Sequence, residues 1–292
     1  MPPKFALGWR KDRPGEDMPA HHLVRAVQHA KEVAPLPNAS LLSFRGDRQN
    51  QGGVGACWAF ARSRAFQLYW QANGMGINVN ASQRKLYYDG RLQEYAGQDP
   101  ETVPPLTDTG TEPRMGDAAV RKLGISLIED CPYVDSVKAN NVQPPPAIYE
   151  KAYDSTGMKS AVITDVGSAR VQLAASSLIH RLPVEFGMQV DSAFLDNHGE
   201  RITKIDGNRI EGGHMLAMLA VLDEQLLQDL GNMLGLPEDA QPDDVLFDNW
   251  WGLGDSWGTK HGYGVMAGSL FGSNWIADIR SIQAAPLPRK AA

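Results

Sequence analysis

Cys57 stands where a thiol becomes reactive. It follows Gln51-Gly52-Gly53-Val54-Gly55-Ala56 and opens the run Trp58-Ala59-Phe60-Ala61, which continues through Phe66, Leu68, Tyr69 and Trp70 at helical spacing. The glycines allow a sharp turn. A cysteine at a helix N-terminus sits where the macrodipole favours negative charge, which lowers its pKa and favours a thiolate nucleophile. A buried structural cysteine is the competing reading; the glycine turn and a glutamine six residues upstream weigh against it. Two further stretches place polar groups at the borders of apolar runs. Gly212-Gly213-His214 opens Met215–Leu222, a run that fits a buried strand. Val245-Leu246-Phe247 leads into Asp248-Asn249-Trp250-Trp251-Gly252. A histidine at a strand start is, taken alone, more often structural than catalytic.

The elements that must position these groups follow from pattern. The helix opened by Cys57 should end at Asn73-Gly74, which has C-cap chemistry. Ser82 caps a second helix that turns Leu86 and Tyr87 inward. Residues 97–116 read as a long loop, and Asp117–Leu123 as a third helix ended by Gly124. Gln143-Pro144-Pro145-Pro146 marks passage from a helical half to a β half. Beyond it come a strand at Lys159–Ile163, a helix at Ser168–Arg181 and a strand at Pro183–Val190. Asp223–Asp244 is acidic and carries Leu226, Leu227, Leu230, Met233 and Leu234 at helical spacing, as a surface helix between two strands would. Residues 1–38 read as separate from the core, with a short helix over His21–Val33 and Trp9 placed to dock on the main body.

Composition narrows the function classes. The 292 residues are 42% hydrophobic and 21% charged, with net charge −6 and pI near 5.6, so a soluble globular chain is expected, binding neither nucleic acid nor membrane. Only Cys57 and Cys131 are cysteines, which suits folding without disulfides in a reducing cytosol. The first residues lack the apolar run of a secretory signal, so the expected localisation is cytoplasmic as synthesised, with release by lysis or another route left open. His21-His22 lacks a second ligand pair, and no metal or cofactor is expected.

The stretch Gln51-Gly52-x-x-Gly55-Ala56-Cys57-Trp58-Ala59-Phe60 resembles the nucleophile motif of the papain/cathepsin cysteine peptidases. Gly212-Gly213-His214 and Asn249-Trp250-Trp251-Gly252 are similar to that family's later motifs, in the same chain order. His214 follows Cys57 by 157 residues, slightly beyond the ~130–150 typical of the family. Val54 replaces a usual disulfide cysteine, as in a bacterial- or phage-type member without the usual disulfides. The resemblance implies an α+β, two-lobed papain-like fold: a helical lobe with a long central helix, an antiparallel β-barrel-like lobe, and the active site between them. It divides the chain into an N-terminal extension or short prosegment (1–38) and a peptidase domain (39–292), with a helical lobe at about 50–140 and a β lobe at about 145–285.

The resemblance also implies Cys57 as nucleophile, His214 as base, Asn249 as the group orienting the imidazole, and Gln51 with the Cys57 amide as oxyanion hole. Asp255, in Asp255-Ser256-Trp257-Gly258, competes with Asn249 for the orienting role. Gly110, Thr111, Gly213 and Trp251 are implied around the substrate, with Met188, Gln189 and Ala217 as candidates for one wall. The expected partner is a peptide or protein substrate, hydrolysed through a thioester, and the N-terminal segment is expected to dock in or near its own cleft. The alternative is a catalytically silent or zymogen-locked scaffold that binds peptides.

Overall fold

The computed structural model describes residues 6–13, 34–75, 79–251, 257–259 and 261–284. The proposed helix over His21–Val33 and the competing residue Asp255 lie outside them. Five longer helices are α1 (Cys57–Ala72), α2 (Gln83–Leu92), α3 (Pro113–Leu123), α4 (Gly167–Ile179) and α5 (Glu224–Leu234). Six strands are β1 (Lys159–Val162), β2 (Val184–Asp191), β3 (Ile210–Val221), β4 (Val245–Asp248), β5 (Tyr263–Met266) and β6 (Ile276–Ala284). They form one antiparallel sheet in the order β1-β6-β2-β3-β4-β5. The molecule is thus α+β, with helices α1 to α3 preceding the first strand in the chain.

α1 is buried on nearly every side, so it is a central helix and not an amphipathic surface one. Cys57, Phe60 and Phe66 pack in one core with Trp250, Met215 and Leu86, while Leu68 and Ala72 join the core of the sheet. The helix also buries Arg62 completely. Arg62 pairs with Asp117 of α3 and with Glu185 of β2, its Nε donating to Glu185 at 2.9 Å. Arg280 of β6 joins from the other side, 3.3 Å from Asp117. Burial works against the Asp117 charge, yet Arg62 and Arg280 hold its pKa below the usual carboxylate value. One ion cluster therefore clamps α1, α3 and the sheet together. Removing one member leaves buried charge uncompensated, so Arg62→Ala should cost about 3–5 kcal/mol of stability, read by denaturant unfolding.

Two boundaries differ from the sequence pattern. α3 begins at Pro113, not at Asp117, because proline at the first helical position is preorganised and lacks only an amide the helix would leave unpaired. β3 begins at Ile210, ahead of His214: Gly212 and Gly213 are extended and pair with Val190 and Gln189. His214 consequently lies within a paired strand, opposite Met188. Ser82 caps α2 by accepting from the Lys85 amide at 3.1 Å, as its sequence suggested.

Candidate active site

The turn ahead of α1 is fixed from both lobes. The Gly55 amide donates to both carboxylate oxygens of Asp108 (3.0 and 3.1 Å), and the Tyr87 hydroxyl donates to the same group. The Gly53 amide donates to Asp135 at 2.9 Å. Across the cleft, the Gln51 amide donates to the Trp250 carbonyl at 2.9 Å. Cys57 is thereby held at the N-terminus of a 16-residue helix, where the dipole favours a thiolate. The main-chain amide of Met215, the residue after His214, hydrogen-bonds to its sulfur.

The protonation of His214 can be read from its partners. Its Nε2 lies 2.8 Å from Asn249 Oδ1, and the Trp250 amide donates to that same oxygen at 2.7 Å. A main-chain amide can only donate, so the Asn249 oxygen is the acceptor, and Nε2 must carry the proton. Nδ1 is then the basic nitrogen of the neutral ring. Among the described residues it has no hydrogen-bond partner. Trp251 stacks on the imidazole with centroids 4.2 Å apart, shielding the Asn249 bond from water.

The chain's own residues 6–13 run through this site. Gly8 and Arg10 bracket Thr111: the Thr111 amide donates to Gly8 O at 2.8 Å, and the Arg10 amide to Thr111 O at 3.4 Å. On the other wall the Trp9 amide donates to Gly213 O at 3.1 Å. The Gln51 side-chain amide donates to the Ala6 carbonyl at 2.7 Å, so the donor implied for an oxyanion holds a carbonyl of the segment. The Gly8 amide reaches the Cys57 sulfur. Glycine is required at this crossing, since a Cβ on Gly8 would lie 1.7 Å from Gly55 O.

Covering changes the ionisation of both groups. Burial pushes the Cys57 thiol up to about 11, with main-chain hydrogen bonds from Met215 and Gly8 opposing. Burial pushes His214 down to about 3, with the Asn249 bond opposing. Both are held neutral, the reverse of a thiolate–imidazolium pair. The linkage has a definite sign. The uncovered thiolate–imidazolium pair holds as many protons as the neutral covered pair, so covering does not depend on pH through the middle range, and on the acid side it weakens only where the uncovered thiolate takes a proton that the covered His214 still refuses. At the alkaline end the uncovered imidazolium gives up its proton while the covered thiol, pushed up to about 11, keeps its own, so the cover weakens as pH rises toward 11. Hydrogen exchange at the Thr111 amide, corrected for intrinsic rates, should therefore show level protection from about pH 5 to 8 and a loss at about pH 10.

His214 bonds Asn249; the next residue, Trp250, accepts from the Gln51 amide and packs in one core with Cys57 and with Met215, the residue after His214. Gly110, Thr111 and Gly213 line the path of residues 6–13, whereas Trp251 covers the imidazole. Of the wall candidates, Gln189 borders Trp9, while Met188 and Ala217 are buried within the sheet. Sequence reading did not reach Asp108, which holds the turn, or Asp278, which accepts from the Trp9 indole at 3.0 Å. Neither carries a local signal, since each acts on residues distant in the chain.

The fold is that of the papain-like cysteine proteases. Comparison with solved structures matches xylellain, a cysteine protease from Xylella fastidiosa, at 18% identity and TM-score 0.68, covering 96% of this chain and 97% of that one. It also matches proCathepsin B S9 from Trypanosoma congolense at 11% identity and TM-score 0.62 (94% and 84% covered). A third match is the ragweed pollen cysteine protease Amb a 11 in its proform, at 20% identity and TM-score 0.58 (87% and 66% covered). No protein-family model matches the sequence, and no curated protein sequence matches it.

Proposed function

We propose that the protein is a cysteine peptidase held in a covered, zymogen-like form by residues 6–13, with residues 1–38 as the prosegment and the remainder as the peptidase unit. The observation that carries this reading is the proton inventory of the site. Asn249 leaves His214 with a proton on Nε2 and a basic Nδ1, in a cleft shared with a thiol at a helix N-terminus. Two of the three structural neighbours named above are described as pro-forms, which agrees with a covered cleft.

Once the segment leaves, water and charge return to the pair. Nδ1 takes the thiol proton, and the imidazolium and helix terminus stabilise the thiolate. The thiolate attacks a peptide carbonyl carbon, and the developing oxyanion takes hydrogen bonds from the Cys57 amide and the Gln51 side chain. Imidazolium protonates the leaving nitrogen, the C–N bond breaks and a thioester remains. Water then gives a proton to Nδ1 and attacks the thioester. The C–S bond breaks, releasing the acid and regenerating the thiolate. A second reading, a peptide-binding scaffold that does not cut, draws on the full burial of Cys57 and His214. Hydrolysis of a fluorogenic peptide library separates the two: activity lost in both Cys57→Ser and His214→Ala supports the peptidase, and activity surviving either change defeats it.

A further inference from the structure

We infer that Asp108 is a positioning residue with two arms: through Gly55 it sets the Cys57 amide that meets the oxyanion, and through Tyr87 it sets Gly110 and Thr111, the wall that pairs with a peptide main chain. This rests on the proposed peptidase function and gives it a residue outside the reacting groups.

The protons of the network fix its direction. The Gly110 amide donates to the Tyr87 hydroxyl at 3.2 Å. A hydroxyl has one proton, and Tyr87 gives its own to Asp108. The Gly55 amide donates to both oxygens of the same carboxylate, at 3.0 and 3.1 Å. Asp108 is therefore the acceptor on which two chain segments end, residues 51–57 and residues 108–111. Burial raises the Tyr87 pKa, so the hydroxyl keeps the proton that the relay uses. Arg91, one turn further along α2, holds the middle of the relay in place. Its guanidinium carbon lies 3.7 Å from the centre of the Tyr87 ring, and its nitrogens donate to the Tyr87 carbonyl at 3.1 Å and to the Thr107 carbonyl at 2.6 Å. The residue beside Asp108 is thus tied to the same helix as Tyr87.

Each arm ends on a group that the reaction uses. The turn ahead of Cys57 is held at its start by Trp250 and Tyr133, which bond the Gln51 amide and carbonyl, and in its middle by Asp135, which bonds Gly53. Its last part, two residues before the thiol, is held at Gly55 by Asp108. Both cysteines are free, so no disulfide shares this task. Loss of Asp108 lets the end of the turn tilt the Cys57 amide away from the oxyanion, an effect felt in the transition state. The other arm is felt in binding. Gly110 has a φ of 75°, a left-handed value suited to glycine, and its amide meets Tyr87. Thr111 beyond it bonds Gly8 and Arg10 through its own amide and carbonyl, the pairing an extended peptide would use. Phenylalanine at position 87 takes the acceptor from the Gly110 amide while Asp108 still holds Gly55. The two arms can therefore be cut separately. Asp108 is itself exposed, so its replacement removes nothing from the core and its role can be read in folded protein.

The test uses the full chain carrying Gly8→Ala and a fluorogenic peptide amide. Rates are expressed per mole of active thiol titrated with an irreversible trap, so changes in the cover do not enter kcat. In this background Asp108→Ala should lower kcat by about tenfold, the worth of one charge-assisted hydrogen bond, and raise KM as well. Asp108→Asn, whose Oδ1 can still accept from Gly55, should recover most of kcat. Tyr87→Phe should raise KM by about tenfold with kcat within about twofold of its parent, as removal of a binding contact does. Three results each overturn this inference and leave the peptidase reading intact: an unchanged kcat in Asp108→Ala, an Asp108→Asn protein no faster than Asp108→Ala, or a Tyr87→Phe protein whose KM stays level or whose kcat falls as far as KM rises. No cleavage by wild type and by the Gly8→Ala parent alike overturns both.

Discussion

Gly8→Ala should raise both peptide hydrolysis and alkylation of Cys57 by about tenfold or more, because overpacking of this kind costs at least ~1–3 kcal/mol. The added methyl meets Gly55 O at 1.7 Å and its carbonyl carbon at 2.3 Å. Both are main-chain atoms in a turn that Asp108 and Trp250 hold in place, so no side chain can swing aside. Relief requires the segment to lift, which also breaks the Thr111–Gly8 hydrogen bond. Lifting takes Asp12 away from Arg280, but the pairs of Arg62 with Asp117 and Glu185 and of Arg280 with Asp117 lie outside the segment, so the body of the fold should remain intact. Rates equal to wild type, with the protein folded, would mean that residues 6–13 do not control access to the thiol.

Cys57→Ala should lower peptide hydrolysis by at least about a thousandfold, since loss of a nucleophile leaves only binding and oxyanion contributions. The change removes one sulfur from a fully buried site at a helix start, and alanine is a good helix former. Thermal unfolding should therefore be little altered, which separates a chemical from a structural role for this cysteine. His214→Ala should give a loss of similar size, because nucleophile and base act as a unit. Assay in the Gly8→Ala background avoids masking by the cover. A Cys57→Ala protein with normal activity would return Cys57 to the structural role that its burial also permits.

The local parts of this arrangement were legible in the sequence. The glycine turn before Cys57, the Ser82 cap and the apolar runs after His214 and before Asn249 each declare themselves within a few residues. The rest depends on contacts between distant parts of the chain. The His214 tautomer is set by the Trp250 amide, a main-chain group that no side-chain pattern reveals. Asp278 meets Trp9 across 269 positions, through a register shift that strand periodicity does not encode. Trp9 was readable as a residue seeking a surface, but the surface was identified only by the glycines that face it, Gly187 and Gly213. Even the early start of α3 belongs here, since Pro113 opens the helix at the end of a proline-containing stretch that has the composition of a loop.

The central claim is a nucleophilic Cys57 served by His214 beneath a removable cover. Peptide mapping after reaction with a peptidyl acyloxymethyl ketone tests it most directly. The account predicts one adduct, on Cys57 and not on Cys131, formed faster in Gly8→Ala than in wild type and suppressed in Gly8→Ala/His214→Ala. An unmodified Cys57 in Gly8→Ala, or an adduct formed equally fast without His214, would contradict it.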